Sequence, residues 1–214
     1  MKFSESMLCL YAVTDRSWTG RQTLLEQVES ALKGGATCVQ LREKELDFDA
    51  FLAEAVELKA LCGRYGVPLI INDNVEIALR CGADGVHVGQ EDMEASGVRA
   101  KVGPDMIVGV TAKTVEQALA AQQAGADYLG SGAVFSSVAK PTALPMSKEM
   151  LRSICDAVTI PVVAIGGIHA GNLMDLRGSG VDGVAVVSAI FAAEDPGKAT
   201  AELLALAKEM TAHG

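Results

Sequence analysis

The sequence predicts a single-domain (β/α)8 barrel, the TIM-barrel class of α/β fold, on three observations. Eight short apolar segments alternate with helical patterns along the 214 residues. A three-residue phrase that starts with glycine recurs four times, each copy after a helical stretch and before an apolar run. The length fits eight compact units, because such barrels span roughly 200 to more than 400 residues. Strict alternation of strand and helix implies parallel strands joined by right-handed crossovers.

The predicted strands are the apolar runs at 8–13, 38–42, 69–72, 85–88, 107–110, 127–131, 161–165 and 183–187. The repeated phrase reads Gly35-Ala36-Thr37, Gly82-Ala83-Asp84, Gly125-Ala126-Asp127 and Gly180-Val181-Asp182. Glycine is typical of a helix end, and the polar residue opens the turn into the next strand. An open doubly wound sheet is the alternative, but its Gly-x-Gly-x-x-Gly fingerprint after the first strand is missing. No linker interrupts the chain, so we expect residues 1–214 to form one domain.

The composition excludes several classes of partner. The formal net charge of −9 argues against nucleic acid and against an acidic membrane surface. The five cysteines are scattered and form no Cys-x-x-Cys pair, which is typical of reduced thiols in a cytosolic protein. No apolar stretch approaches transmembrane length and no signal-peptide pattern opens the chain, so we expect a cytoplasmic protein without a membrane partner.

The segment Gln40-Leu41-Arg42-Glu43-Lys44 lies at the end of the second predicted strand and is the first candidate for a ligand site. Side chains alternate along a strand, so Gln40, Arg42 and Lys44 would share one face and the other two residues the opposite face. An amide and two cations on one face are costly to desolvate without a partner. An anionic ligand with several acceptor oxygens would satisfy them, which indicates half of a phosphate site.

Two aspartates follow the third and fourth predicted strands, which would be neighbours in a barrel. Asp73 and Asp92 suit Mg2+, a hard ion that binds one or two carboxylates together with phosphate oxygens. Each aspartate also stands where a helix N-cap belongs, a role worth about 1 kcal/mol. Spacing alone favours the cap for each residue singly, whereas the cations of the neighbouring strand favour a metal for the pair.

A second anion site is predicted at the seventh and eighth strands. Gly166-Gly167 after the seventh and Ser188 after the eighth match the usual barrel phosphate cradle, where backbone N–H groups and a short helix N-terminus meet the anion. The longest connection, 132–146, carries Lys140 and is interpreted as a lid that brings a cation over the ligand. His87 is interpreted as a hydrogen-bonded barrel histidine and not as a base.

Together these motifs resemble the thiamine-phosphate synthase family over nearly the whole chain. The matching segments are 11–16, 40–44, 71–73, 85–92, 164–168 and 186–191. The family condenses 4-amino-2-methyl-5-(diphosphomethyl)pyrimidine with a thiazole phosphate, carboxylated or not, to give thiamine monophosphate after dissociative loss of diphosphate. The resemblance therefore implies a transferase of thiamine biosynthesis that acts on small phosphorylated molecules and uses Mg2+. The family usually forms dimers, so a homodimer is expected.

The resemblance also implies the site residues. By it, the metal ligands are Asp73 and Asp92, and the catalytic residues are Arg42, Lys44, Thr111 and Lys140. The residues implied for the pyrimidine diphosphate are Gln40, Leu41, Arg42, Glu43, Lys44, Asn72, Thr111 and Lys140. Those implied for the thiazole phosphate are Ser137, Val138, Ala139, Gly166, Gly167, Val187 and Ser188.

The predicted lid departs from the family pattern. Where the family has Gly-Pro-(Val/Ile)-(Phe/Tyr)-Pro-Thr-x-Thr-Lys, this chain reads Gly132-Ala133-Val134-Phe135-Ser136-Ser137-Val138-Ala139-Lys140. A lost neutral hydrogen bond costs about 0.5–1.5 kcal/mol, so we expect an active enzyme with an altered affinity for the thiazole phosphate. Two alternatives stay open. One is a thiazole tautomerase-like isomerase, which resembles the synthase but has a histidine where Ala133 stands. The other is a non-catalytic barrel that binds phosphate ligands.

Overall fold

The computed structural model describes residues 3–20, 22–89, 95–136 and 145–212, and its eight parallel strands close into a barrel. The strands pair in chain order, and the first also pairs with the eighth. They are β1 Leu10–Val13, β2 Cys38–Leu41, β3 Leu69–Asn72, β4 Gly85–Val88, β5 Ile107–Thr111, β6 Tyr128–Gly132, β7 Val162–Ile165 and β8 Gly183–Val186. The predicted barrel fold is confirmed.

Helices surround the barrel and connect its strands. They are α1 Leu24–Lys33, α2 Phe48–Tyr65, α3 Val75–Cys81, α4 Ala95–Val102, α5 Val115–Gln123, α6 Lys148–Ala157, α7 Ser188–Phe191 and α8 Pro196–Thr211. After β7 the chain forms only a 3-10 turn, Leu173–Leu176, in the place of a crossover helix. None of the described helices is both long and apolar enough to span a membrane.

The repeated glycine phrase ties the amino-terminal end of the barrel together. In all four copies the glycine has a positive φ, between 65° and 98°, and in the first three it lies directly at the end of the preceding helix. The polar side chain at the end of each copy accepts a backbone N–H from the preceding strand: Thr37 from Leu10, Asp84 from Leu69, Asp127 from Val108 and Asp182 from Val162. The phrase therefore clamps adjacent strands in pairs, and the opposite end of the barrel is left to the loops that follow the strands.

Two apolar layers hold the barrel, and alternation along β1 shows both. Leu10 and Ala12 face the layer between strands and helices, whereas Tyr11 and Val13 face the lumen. β1 begins at Leu10 and not at residue 8, because Glu5–Leu8 forms a 3-10 turn. Leu8 is nevertheless 1% exposed and packs with the lumen residues. All five cysteines are free thiols, as their spacing predicted.

Candidate active site

The carboxyl-terminal rim of the barrel brings together the loops that follow β2 and β3. Lys44, after β2, and Asp73, after β3, form an ion pair in which Nζ lies 2.6 Å from Oδ2. β2 and β3 are paired neighbours, so both loops open at the same end of the barrel. A predicted cation and a predicted metal ligand are thus in direct contact.

Asp73 is not the helix cap that its position suggested. The N-cap of α3 is Asn74, whose Oδ1 accepts the N–H of Ile77 at 3.0 Å. Asp73 itself has a φ of 61°, a left-handed conformation in which aspartate is one of the better tolerated residues. Its N–H donates to the carbonyl of His87 at 2.8 Å. The backbone of Asp73 is therefore fixed while its carboxylate stays at the rim, with Lys44 as its partner.

The loop after β2 is anchored by Glu43, whose side chain is only 2% exposed. Its Oε1 accepts the backbone N–H groups of Lys44, Glu45 and Leu46 at 2.7, 2.6 and 3.2 Å. Its Oε2 accepts Nε–H of Arg16 at 2.8 Å. Burial alone would raise the pKa of Glu43, but the hydrogen bonds from these N–H groups and from Arg16 outweigh it and lower the pKa. The carboxylate therefore folds the loop that presents Lys44.

Arg42 leaves the barrel at the same rim. Its backbone N–H donates to Oγ1 of Thr14 at 3.0 Å, and its guanidinium lies 3.7 Å from Oδ2 of Asp15. The side chain is 40% exposed. The contact with Asp15 is long for an ion pair, so Arg42 would lose little interaction energy if its side chain turned towards an anion.

The structure corrects the predicted arrangement of residues 40–44. β2 ends at Leu41, so the alternation of a strand does not extend to Arg42 and Lys44. Gln40 points into the lumen and is 6% exposed, whereas Leu41 is fully buried between the barrel and its helices. The side chain of Leu41 therefore does not reach the rim. The predicted alternation of side chains therefore holds for Gln40 and Leu41, but the strand does not extend to Arg42 and Lys44.

A line of hydrogen bonds crosses the lumen beneath the rim. Gln40 Nε2 donates to the hydroxyl of Tyr11 at 2.8 Å, and that hydroxyl lies 2.9 Å from the hydroxyl of Tyr128. Tyr128 contacts Nδ1 of His87 at 3.0 Å, and Nε2 of His87 lies 3.0 Å from Oγ1 of Thr111. The interpretation of His87 as a hydrogen-bonded barrel histidine is confirmed. The line ends at Thr111, a predicted site residue at the end of β5.

The lumen groups of this line are neutral at pH 7. Burial lowers the pKa of His87 to about 4, because the surrounding strands desolvate the imidazole, although the residue as a whole is only half-buried. Burial raises the pKa values of Tyr11 and Tyr128 well above their ordinary value. The three groups therefore act as hydrogen-bond donors and acceptors and not as charges.

The turn after β7 is the first half of the anion cradle that the sequence predicts, and its backbone conformation requires glycine. Gly166 and Gly167 have φ values of 105° and 66°, a region that disfavours other residues. A Cβ on Gly167 would lie 2.6 Å from the carbonyl oxygen of Ser136. Asn172 braces the turn, since its Nδ2 donates to the carbonyl of Gly167 at 2.9 Å. The absence of a side chain at Gly167 thus lets the turn pack closely against Ser136, at the start of the predicted lid.

The start of the short helix α7 follows β8 at the same rim. Val187 precedes α7 and Ser188 is its first residue, half-buried and exposed respectively. β7 and β8 are paired, so Ser188 and the Gly166-Gly167 turn follow neighbouring strands. The two segments of the predicted cradle therefore lie at the same end of the barrel.

Several predicted site residues cannot be placed in this way. Asp92, Ser137, Val138, Ala139 and Lys140 lie outside the described residues. Asn72 is described and is the half-buried last residue of β3. Within the described ranges no three His, Cys, Asp or Glu side chains gather as a metal site.

Sequence reasoning missed three residues that shape the site, namely Tyr11, Tyr128 and Arg16. The two tyrosines meet across 117 positions of sequence, which no local pattern reports. Two glycines gave a usable signal, because glycine inside a strand often marks a close approach. A Cβ on Gly109 would overlap the ring of Tyr128, and one on Gly130 would lie 3.0 Å from Cε1 of His87.

Comparison with known proteins gives consistent results. A family model described as thiamine monophosphate synthase matches residues 10–190. A thiamine-phosphate synthase from Ruminiclostridium cellulolyticum is 50% identical over 195 residues, which are 91% of this chain and 92% of that protein. One from Clostridium tetani is 47% identical over 194 residues, 91% of this chain and 93% of that protein. A solved thiamine phosphate pyrophosphorylase from Pyrococcus furiosus superposes with a TM-score of 0.88 at 39% identity, over 96% of this chain and 98% of that one.

Proposed function

Because this chain belongs to the thiamine monophosphate synthase family, and is thus a transferase of thiamine biosynthesis, we propose that it joins 4-amino-2-methyl-5-(diphosphomethyl)pyrimidine to a thiazole phosphate and releases diphosphate. The observation that carries the proposal is the contact of Lys44 with Asp73 at the rim, next to Arg42 on the same loop. Cations and a carboxylate at one mouth suit a diphosphate and its counter-ion.

The reaction demands stabilisation of a leaving group. When diphosphate departs from a methylene on an electron-rich aminopyrimidine, the transition state resembles a carbocation and a separating anion. Arg42 and Lys44, with Lys140 outside the described residues, would stabilise the negative charge that grows on the leaving oxygens. In many enzymes, preorganised groups of this kind contribute more to the rate enhancement than any other effect. The Glu43 anchor gives that preorganisation, because it fixes the backbone that carries Lys44.

A magnesium ion fits the donor set at this rim. Asp73 is a hard oxygen ligand that no helix needs as a cap, and its partner is an ammonium that a cation can replace. Asp73, with Asp92 outside the described residues, would hold the ion, which supplies neutralisation of the diphosphate charge. Asn72 and Thr111 would orient the pyrimidine at the ends of β3 and β5.

The thiazole phosphate would occupy the opposite side of the mouth. The backbone of Gly166 and Gly167 and the start of α7 at Ser188 are suited to an anion. Residues 137–139 of the predicted lid would complete this half. Fixing the second substrate by its phosphate places the thiazole nitrogen for attack, a contribution of orientation and not of acid–base chemistry.

The proposal is tested by a coupled assay with the two purified substrates, with and without added Mg2+. We expect equimolar diphosphate and thiamine phosphate, formed only when both substrates and the ion are present. Isomerisation of the thiazole carboxylate without diphosphate would instead indicate an isomerase. Calorimetric binding of both substrates without product would indicate a binding protein.

A matched pair of variants separates the metal ligand from the helix cap. Asp73→Asn keeps a residue that tolerates a φ of 61°, so we expect the free energy of unfolding to change by less than about 1 kcal/mol. Loss of the charge should lower Mg2+-dependent turnover about 30-fold. Asn74→Ala should cost about 1 kcal/mol of stability and retain turnover. Urea unfolding and the diphosphate assay measure both effects, and wild-type turnover in Asp73→Asn would remove Asp73 from the proposed metal site.

A further inference from the structure

The orientation of the Gln40 amide sets the direction of the hydrogen-bond line through the lumen. The amide nitrogen of Gln40 can only donate, so the oxygen of Tyr11 accepts from it. The Tyr11 hydroxyl also contacts the thiol of Cys38, which is a weak acceptor, so its single proton points to the stronger acceptor, the hydroxyl oxygen of Tyr128 at 2.9 Å. Tyr128 has one proton as well, and with Tyr11 as its donor it must donate to Nδ1 of His87. An accepting Nδ1 on a neutral ring leaves the imidazole proton on Nε2, which faces Thr111.

The opposite direction is a complete alternative. If the amide oxygen of Gln40 faced Tyr11, each donor along the line would become an acceptor. The imidazole proton would then lie on Nδ1, and Nε2 of His87 would take the proton of Thr111. The two directions therefore differ in an observable quantity, the tautomer of His87.

The lumen is shaped to hold this line. Gly109 on β5 leaves the space that the ring of Tyr128 and Nδ1 of His87 fill, since a Cβ there would lie 2.5 Å from that nitrogen. Gly130 on β6 leaves space for the other edge of the same imidazole. Tyr11 and Tyr128 are both less than 3% exposed and pack edge to face with ring centroids 6.0 Å apart. Packing thus restrains each ring in the position that its hydrogen bonds require.

We propose that Gln40, Tyr11 and Tyr128 are positioning residues that hold His87 in its Nε2–H tautomer, so that His87 donates to Oγ1 of Thr111 and fixes that side chain on the pyrimidine-diphosphate side of the rim. The second half rests on the proposed function, which puts Thr111 at that ligand. Because His87 holds Oγ1 of Thr111, this side chain keeps one position at the end of β5.

The first test is spectroscopic and needs no substrate. The chain has three histidines, so protein labelled with 15N-histidine gives few imidazole signals, and the His87→Gln variant identifies that of His87. Long-range 1H–15N correlation at pH 7.5 should show the Nε2–H tautomer in the full wild-type chain. Tyr128→Phe removes the donor to Nδ1 and should give a mixture of both neutral tautomers.

The matched control is Tyr65→Phe. Tyr65 is an exposed tyrosine at the end of α2, and its hydroxyl donates to Glu29 and takes no part in the lumen hydrogen bonds. It should leave the tautomer unchanged. Tyr11→Phe serves as a second variant if Tyr128→Phe folds poorly, because it interrupts the same line one step earlier and should also produce a tautomer mixture.

The second test is kinetic. Tyr128→Phe should lower the rate of diphosphate release about tenfold, with an unchanged KM for the thiazole phosphate, since only the pyrimidine side of the mouth loses a fixed side chain. Tyr65→Phe should match the wild type. The proposed role of the hydrogen-bond line is overturned if the wild type has the Nδ1–H tautomer. It is also overturned if Tyr128→Phe and Tyr11→Phe both retain a single Nε2–H tautomer. A changed tautomer with wild-type kinetics would show that the His87 tautomer does not act through Thr111. A wild type that forms no diphosphate would reject the proposed function, and the tautomer measurement would still test the hydrogen-bond line.

Discussion

Replacing Gly109 by alanine is expected to lower the free energy of unfolding by about 3 kcal/mol, a large effect for one methyl group. A Cβ at this position would overlap the ring of Tyr128 and lie 2.5 Å from Nδ1 of His87. Tyr128 is 1% exposed and cannot retreat into solvent. Relief requires a shift of both rings, which also breaks their mutual hydrogen bond. Urea unfolding with an unchanged m value measures the loss.

The control for this prediction is Gly63→Ala. Gly63 lies in α2, and nothing stands within 4 Å of the position that its Cβ would take. Alanine has the higher helix propensity, so this variant should gain about 0.5–1 kcal/mol. Gly130→Ala should fall between the two, since its Cβ would approach His87 only to 3.0 Å. A wild-type unfolding midpoint for Gly109→Ala would mean that the lumen has room to adapt and that the two rings are loosely held.

The positions of the strands were predictable because glycine-containing turn motifs in the sequence mark where several of them begin. β3 and β4 have the predicted bounds, 69–72 and 85–88, since the Gly82-Ala83-Asp84 phrase separates them and marks the turn chemically. The start of β1 was predicted too early. Leu8 is as apolar as a strand residue and as deeply buried, and hydrophobicity alone does not separate a strand from the 3-10 turn that closes the lumen.

The site was less predictable, because it depends on backbone geometry and on distant contacts. Asp73 and Asn74 are adjacent and both suited to a cap, and only the left-handed φ of Asp73 decides between them. The anchoring role of Glu43 depends on a bend after Leu41 that brings three N–H groups to one oxygen. The polar line in the lumen joins residues from five different strands, and pairs of this kind leave no periodic trace in the sequence.

Removal of the Lys44 ammonium should be the most damaging change to catalysis among the described residues. In Lys44→Ala we expect the rate of diphosphate departure to fall between about 100- and 1,000-fold, the usual loss when one preorganised charge-stabilising group is removed. The chain as a whole carries a net charge of −9, so an anionic substrate depends on focused cations at the mouth. Lys44 is 52% exposed, and its loss should change stability by less than about 1 kcal/mol.

Lys59→Ala is the matched control, because the chain repeats the same ion pair at the other end of the barrel. Nζ of Lys59 lies 2.6 Å from Oδ2 of Asp84, the same separation as in the pair of Lys44 and Asp73. Asp84 is 6% exposed at its side chain and also accepts the N–H of Leu69, so loss of Lys59 should cost about 2 kcal/mol of stability. Single-turnover measurement of diphosphate release at saturating substrate then separates the two roles. A rate loss confined to Lys44→Ala assigns that cation to the leaving group, whereas equal rates in both variants would assign both lysines to folding alone.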